Sequence, residues 1–435
     1  MQIFNIENDL TFDLKSILPK QIYDLLVSNY SYDPKISKDV DSIISRVKSD
    51  GDEALLQLSN QFDKANFLTS EDFLVSDDEF LEAENSISPE LIESLKIASQ
   101  RIKFYHQQQL PKDFFLTDEL GVELGNRWQA IQKIGVYVPG GNASYPSSVL
   151  MSVIPAQVAG VEEIVVCVPT NNSKIHPAVL HACKLCGIDK VFKIGGAQAI
   201  AGMAFGTKTI PKVDKIVGPG NSYVALAKKY LYGEVGIDMI AGPTDLTIIA
   251  NDNANATWLA IDALSQLEHG VDSKAFIIVD NYEFAKKIID EIVKLKQQLS
   301  RKNIIEQSLN NSAIFVIKNI SQAHFLVNFI APEHLQIVTS DPHQLLAKIK
   351  NAGAIFIGQY SPEAIGDYVA GPSHTLPTSG TARFASGLSV YDFLKRQSLI
   401  KCNKNSFAQL AKSASLIAEA EGLTAHQLSI DIRKL

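Results

Sequence analysis

Apolar residues recur at helical spacing between positions 36 and 62, with Val40, Ile43, Ile44 and Val47 followed by Leu55, Leu56 and Leu58. Asp50-Gly51-Asp52 interrupts the run, so the spacing predicts two helices. Another helix is expected over 89–109, with Pro89 near its start and Ser88 as its cap. After Trp128 the period changes, and short runs rich in Val and Ile, apolar on both faces, alternate with helices. A first series predicts strands at 134–138, 163–168, 191–194 and 213–217, with helices at 147–159, 177–186, 197–205 and 222–231. A second predicts strands at 246–250, 275–279, 313–317, 335–338 and 354–357, with helices at 256–269, 282–299, 322–329 and 343–350.

Strands buried on both faces and separated by helices predict the α/β class, with two Rossmann-like parallel-sheet domains, one inserted in the other. The expected divisions are a small N-terminal arm over 1–30, one α/β domain built from 31–133 and 240–385, a second over 134–239, and a helical tail over 386–435.

Composition narrows the class. The chain has 435 residues, 46% hydrophobic and 20% charged, which fits a globular protein with ample core. Its formal net charge of −8 argues against nucleic acid as a partner, since phosphate contacts need a basic surface. The start of the chain has no basic segment leading into an apolar run, and no stretch is long and apolar enough to span a bilayer. The expectation is a cytoplasmic protein without a membrane partner. Cys183-Lys184-Leu185-Cys186 has the spacing of a redox pair or half a zinc site, but no second ligand pair follows. Two small buried residues on an amphipathic helix are the favoured account of it.

Three glycine-bearing turns follow successive strands and open helices or loops: Pro139-Gly140-Gly141, Gly195-Gly196-Ala197-Gln198 and Gly218-Pro219-Gly220-Asn221. Glycine lets the backbone approach a ligand, and a helix N-terminus attracts anionic groups such as a pyrophosphate. None matches the GxGxxG fingerprint. Gln266 and His269, three apart, share a helical face with Asp262. Asp367 is expected in a loop, and His426 in the last helix, capped by Thr424. Gln266, His269, Asp367 and His426 together offer two imidazoles and two oxygens, a donor set suited to Zn²⁺, although spacing alone cannot assemble them. Glu333-His334, after Pro332 at a strand edge, is an adjacent pair able to take protons. Gly371 to Thr378, with His374, is a long polar loop of the kind that carries function or merely structure.

These residues fall in stretches that resemble the histidinol dehydrogenase family. The matches run colinearly from Ile134 to His426. They include Tyr137-Val138-Pro139-Gly140-Gly141, Gly195 to Ala199, Asp238 to Pro243, Ser265 to Gly270, Ala331 to Leu335, Gly366 to Pro377 and Glu421 to His426. The resemblance implies oxidation of L-histidinol to L-histidine through the aldehyde, with two NAD⁺ used in succession. It implies a homodimer with one zinc per subunit, held by Gln266, His269, Asp367 and His426. NAD would contact Tyr137, Gln198 and Asn221, making 134–239 the NAD-binding domain. Substrate would meet Thr244, Gln266, His269, His334, Asp367, His374, Glu421 and His426. Glu421 and His426 would reach the partner's active site from the tail. Glu333 and His334 would be catalytic, His334 as base in the oxidations and Glu333 activating the water between them. Thr244 departs from the serine usual in the family; the hydroxyl is kept, with a stiffer χ1. A related dehydrogenase of another small alcohol, such as a sulfonated diol, and a non-catalytic binding protein are the alternatives to be tested.

Overall fold

The alternation of two-faced apolar runs with helices produces two parallel sheets, as expected. The computed structural model describes residues 1–27, 33–140, 144–170 and 173–434; Gly141 of the first glycine turn lies outside them. In chain order the strands are β1 (Gln2–Ile6), β2 (Phe114–Thr117), β3 (Glu123–Ala130), β4 (Lys133–Tyr137), β5 (Glu163–Cys167), β6 (Val191–Phe192) and β7 (Lys215–Val217). They continue as β8 (Gly236–Ile237), β9 (Asp245–Ala250), β10 (Lys274–Val279), β11 (Ala313–Ile317), β12 (His334–Val338), β13 (Ala354–Ile357) and β14 (Leu394–Lys401). One parallel sheet has the order β6-β5-β4-β7-β8 and the other β1-β11-β10-β9-β12-β13.

The division of the chain differs from the expectation in three places. Of the expected arm over 1–30, the described residues 1–27 are not a separate piece, because β1 pairs in parallel with β11 and closes one edge of the six-stranded sheet. An edge left open would present unpaired backbone groups. Residues 34–107 do not join the 240–385 unit. Helices Pro34–Asp50 and Asp52–Phe62 bury Val40, Val47, Leu55 and Leu58 against Ile200 and Met203 on one side of the five-stranded sheet. Helix Pro89–Gln107, capped by Ser88 as expected, buries Leu95, Ala98 and Ile102 with Ile134, Val136 and Leu150 on the other side. A parallel sheet needs cover on both faces, and the helices within 134–239 leave room for more. Finally, the tail is not wholly helical. β14 pairs antiparallel with β3, which pairs antiparallel with β2, before helices Lys404–Ala420 and Thr424–Asp431. Leu423, not Thr424, holds the cap position of the last helix.

Cys167, Cys183, Cys186 and Cys402 are free thiols. Burial pushes the Cys186 thiol up to about 12 and Cys183 higher still, so this CxxC serves as core packing. Among the described residues no helix is long and apolar enough to cross a membrane.

Candidate active site

The strand order reverses where β4 lies beside β7 in the first sheet and where β9 lies beside β12 in the second. In the first sheet the glycine turns follow β4 and β7, so they lie at the carboxyl ends of the strands, the usual ligand crevice. In the second the candidate residues lie at the opposite end. Thr244 precedes β9, Glu333 precedes β12, and His334 is its first residue. The helix ends match this difference. Helix N-termini, carrying partial positive charge, open after the first sheet's turns. Helices Ala256–Leu267 and Ala323–Ile330 finish beside the second site, bringing partial negative charge to it. One edge therefore favours an anion and the other a cation. A cavity of about 390 Å³ joins them, lined among others by Gly140, Asn221, His269, Glu333, His334 and Asp367.

At the β9–β12 junction the contacts are reciprocal. Thr244 Oγ1 donates to Glu333 Oε2 at 2.5 Å, and the Asp245 N–H donates to the same oxygen at 3.2 Å. The Glu333 N–H donates to Asp245 Oδ1 at 3.0 Å. Ala331, in the left-handed region at φ 51°, turns the chain out of the preceding helix, and Pro332 then carries it to Glu333. His334 Nδ1 lies 3.2 Å from the Asp245 carbonyl, which fixes the proton on that nitrogen. Nε2 is buried without a hydrogen-bond partner, 3.9 Å from Asp367 Oδ1. It is a lone pair held ready for a ligand proton. Burial pulls the His334 pKa down to about 3, so the imidazole is neutral at neutral pH. His374 links the two halves: Nδ1 meets the Asp367 carbonyl at 3.0 Å and Nε2 meets Ser148 Oγ at 3.2 Å.

The acidic groups here outnumber their partners. Burial raises Glu333 well above the carboxylate range, with Asp245 adding to it. Burial likewise raises Asp245 to about 6 and Asp367 to about 7. Glu363, which the sequence reading passed over, is also raised by burial and by Asp367 and Glu333. Among the described residues no Lys or Arg pairs with Glu333, Glu363 or Asp367; their ionic contacts are to His334. His269, Glu363 and Asp367 bring ligand atoms within 4.8 Å of one another. Gln266, fully buried, meets Thr244 Oγ1 at one end of its amide and the Glu363 carboxylate at the other. Imidazole and carboxylates gathered without a cation are the donor set a divalent metal requires. Asp367 lies on the short helix Glu363–Tyr368 rather than in the expected loop. That helix puts Glu363 and Asp367 four apart on one face, the spacing that would have exposed Glu363 as a partner.

On the cofactor side, a Cβ at Gly218, where φ is 112°, would collide with the Tyr137 carbonyl oxygen. Only glycine fits that turn. Lys228 and Asp238, both almost wholly buried, pair directly and grip the turn. Lys228 Nζ donates to the Gly218 carbonyl at 2.9 Å, and the Gly218 N–H donates to Asp238 Oδ2 at 2.8 Å. Lys228→Met strands Asp238 as a lone buried charge, with an expected loss of about 3–5 kcal/mol of stability. Urea unfolding checks this, and a variant as stable as the parent refutes it. Asn221 caps helix Ser222–Leu231 and lines the cavity. Tyr137 and Gln198 are buried: the Tyr137 hydroxyl accepts from the Gly196 N–H at 3.1 Å, and Gln198 Nε2 donates to Asp63 at 3.4 Å. In this conformation they brace the Gly195-Gly196 turn.

Comparison with known proteins agrees with the geometry. The family model for histidinol dehydrogenase matches residues 28–434. The chain is similar to the histidinol dehydrogenase of Aquifex aeolicus, 47% identical over 91% of this chain and 92% of that one. It is also similar to that of Oceanobacillus iheyensis, 48% identical over 92% of this chain and 93% of that one. The solved structure of histidinol dehydrogenase from Elizabethkingia anophelis superposes with a TM-score of 0.93 at 35% identity, covering 100% of this chain and 98% of that one. This chain belongs to the histidinol dehydrogenase family. Members are NAD-dependent oxidoreductases of histidine biosynthesis, and histidinol is their substrate. A non-catalytic binding protein is thereby set aside. Of the residues expected from the histidinol dehydrogenase resemblance, Thr244, Gln266, His269, Glu333, His334, Asp367 and His374 come together around one site. Glu421 and His426 do not. Both are exposed on the C-terminal helical hairpin, where the Leu423 N–H donates to Ala418 and Ser415 Oγ to Asp431.

Proposed function

We propose that the chain carries out the four-electron oxidation of L-histidinol to L-histidine through L-histidinaldehyde at the β9–β12 cavity, as a cytoplasmic enzyme. The observation that carries this reading is the pairing of a neutral, proton-fixed His334 with a hydrogen-bonded Glu333 in the cavity that reaches the glycine turns. His334 Nε2 takes the alcohol proton as hydride leaves the carbon, and negative charge on Glu333 and Asp367 would raise its basicity. NAD⁺, when bound along the turns at Gly140, Gly218 and Asn221, supplies the hydride acceptor. The aldehyde then adds water. A bound cation would keep Glu333 ionised; held by Thr244 Oγ1 and the Asp245 N–H, it takes the proton that water gives up. The hydrated aldehyde, a monoanion once Glu333 has taken water's proton, would give up the second hydride when a second NAD⁺ is bound; His334, having released its first proton, takes the remaining hydroxyl proton, and the carboxylate results. Retaining the aldehyde in a cavity of about 390 Å³ keeps it from escape and side reaction.

The residues present fit one zinc per subunit. Gln266, His269 and Asp367 would hold it together with His426 of a second copy, and when bound it supplies Lewis acidity toward the imidazole and amine nitrogens of histidinol. Glu421 of that copy would hold the substrate amine. A homodimer with shared sites suits the C-terminal hairpin, which leaves Leu416, Ile417, Leu428 and Ile432 more than half exposed.

Counting NADH formed per histidinol consumed tests the reading. The expected ratio is two, falling toward one in Glu333→Gln as aldehyde accumulates. A ratio of one in the parent enzyme, or no NADH from histidinol, would overturn it.

A further inference from the structure

We infer that Glu363 is a positioning residue of the metal site, orienting the Gln266 amide and supplying the negative charge that the ligand set lacks. The inference rests on the zinc reading above. Glu363 is 3% exposed and is the first residue of helix Glu363–Tyr368. Both its oxygens face the Gln266 amide, Oε2 at 2.6 Å. With a cation bound beside it the Glu363 carboxylate is ionised and only accepts, so it meets the amide nitrogen and not the oxygen. The Gln266 oxygen is thereby placed at the other end, beside Thr244 Oγ1, whose single proton goes to Glu333, so the amide oxygen keeps a lone pair to give. An amide free to flip would present a metal with its nitrogen, which has no lone pair to give; pinned by Glu363, it keeps its oxygen available. Groups behind the ligands commonly set ligand orientation in this way.

The charge count points in the same direction. Among Gln266, His269, Asp367 and His426, only Asp367 brings negative charge, so a divalent ion would leave one positive charge uncompensated. A buried net charge is costly. Glu363 removes it. Conversely, Glu363 and Asp367 are like charges four apart on one helix, an arrangement that disfavours itself unless a cation lies between them. Both oxygens of Glu363 are engaged by Gln266, which argues for a role through that amide rather than as a ligand.

The test uses the full chain, as parent and as Glu363→Gln. Three quantities are read: zinc affinity by competition with a chromophoric chelator, thermal midpoint of the metal-free protein, and the visible absorption of the Co²⁺-loaded protein. Glu363→Gln should weaken zinc binding by about 10–100-fold. Its metal-free midpoint should hold, because glutamine keeps the size of the side chain and can still accept from the Gln266 amide, and its Co²⁺ bands should stay in place. Unchanged zinc affinity refutes the inference. So does a lowered metal-free midpoint with unchanged affinity, which would make Glu363 a structural residue. Displaced Co²⁺ bands refute it too, making Glu363 a ligand. If Glu363→Gln does not fold, Glu363→Asp carries the test: charge is kept but the reach to Gln266 is shortened, and a smaller loss of affinity is expected. A parent chain that binds no zinc at all would sink the metal reading itself, an outcome distinct from the others.

Discussion

Replacing His334 by Asn should lower turnover for both oxidations by about 10²–10⁴-fold, the usual worth of a positioned acid–base group, with zinc content unchanged. The side chains are close in shape near the backbone. The Asn amide can still donate to the Asp245 carbonyl, now 3.2 Å from His334 Nδ1, so the fold of the β9–β12 junction should survive. What disappears is Nε2, the buried lone pair without a hydrogen-bond partner. Both hydride transfers need a hydroxyl proton removed, so alcohol and aldehyde should be affected alike. Rates measured separately from histidinol and from histidinaldehyde, with metal analysis of the variant, decide the matter. Loss of zinc would make His334 a ligand. A normal rate from the aldehyde would require a different base for the second step.

His334 was visible in the sequence because it sits in a short, chemically marked stretch, Pro332-Glu333-His334, ahead of an apolar strand. The strands and helices after Trp128 were legible for a similar reason: two-faced apolar runs have few other uses. What pattern could not supply was the partner of each element. β1 is a short half-buried segment whose identity as a strand depends on β11, more than three hundred positions away. The helices at 34–107 are amphipathic wherever they dock, so their periodicity says that a face is buried and not which sheet buries it. β2, β3 and β14 are largely exposed, and their pairing leaves a weak apolar signal.

The site follows the same logic. Glu333 and His334 were named from local residues and Thr244 from the family resemblance, yet the Thr244–Glu333 hydrogen bond spans 89 positions and exists only once β9 lies beside β12. Glu363 was missed because the expected loop at Asp367 hid the helical spacing between them. Its burial, which gives it meaning, comes from tertiary packing that sets it against Gln266 and His334. Lys228 and Asp238 become a buried pair only when the fold encloses them together.

Stripping the metal should abolish activity, to below about 1% of the parent rate, and should change how stability depends on pH. In the metal-free chain burial raises Asp245 to about 6 and Asp367 to about 7, and raises Glu333 and Glu363 well above the usual range. The folded chain thus holds protons that the unfolded chain releases. These groups stabilise it at low pH, and that contribution is lost as pH rises through their folded values. His334, pulled to about 3, and His374, pulled to about 4 by burial, act in the opposite sense. Their contribution is complete above about 6.5, the ordinary imidazole value, and is lost as pH falls toward the folded values. Above pH 6.5 the several raised carboxylates outweigh the one opposing group there, the N-terminal amine that burial lowers, so the metal-free midpoint should fall between pH 6.5 and 8.5. A bound cation lets the same carboxylates stay ionised, which removes that slope. The gain from zinc should therefore widen with pH. At about a thousandfold excess over Kd, binding is worth roughly 4 kcal/mol, or about 8 °C in the midpoint at roughly 2 °C per kcal/mol. Thermal unfolding with and without zinc across this range checks it, with activity restored on readdition. A gap that narrows as pH rises would mean that the buried carboxylates are neutralised by something other than a metal.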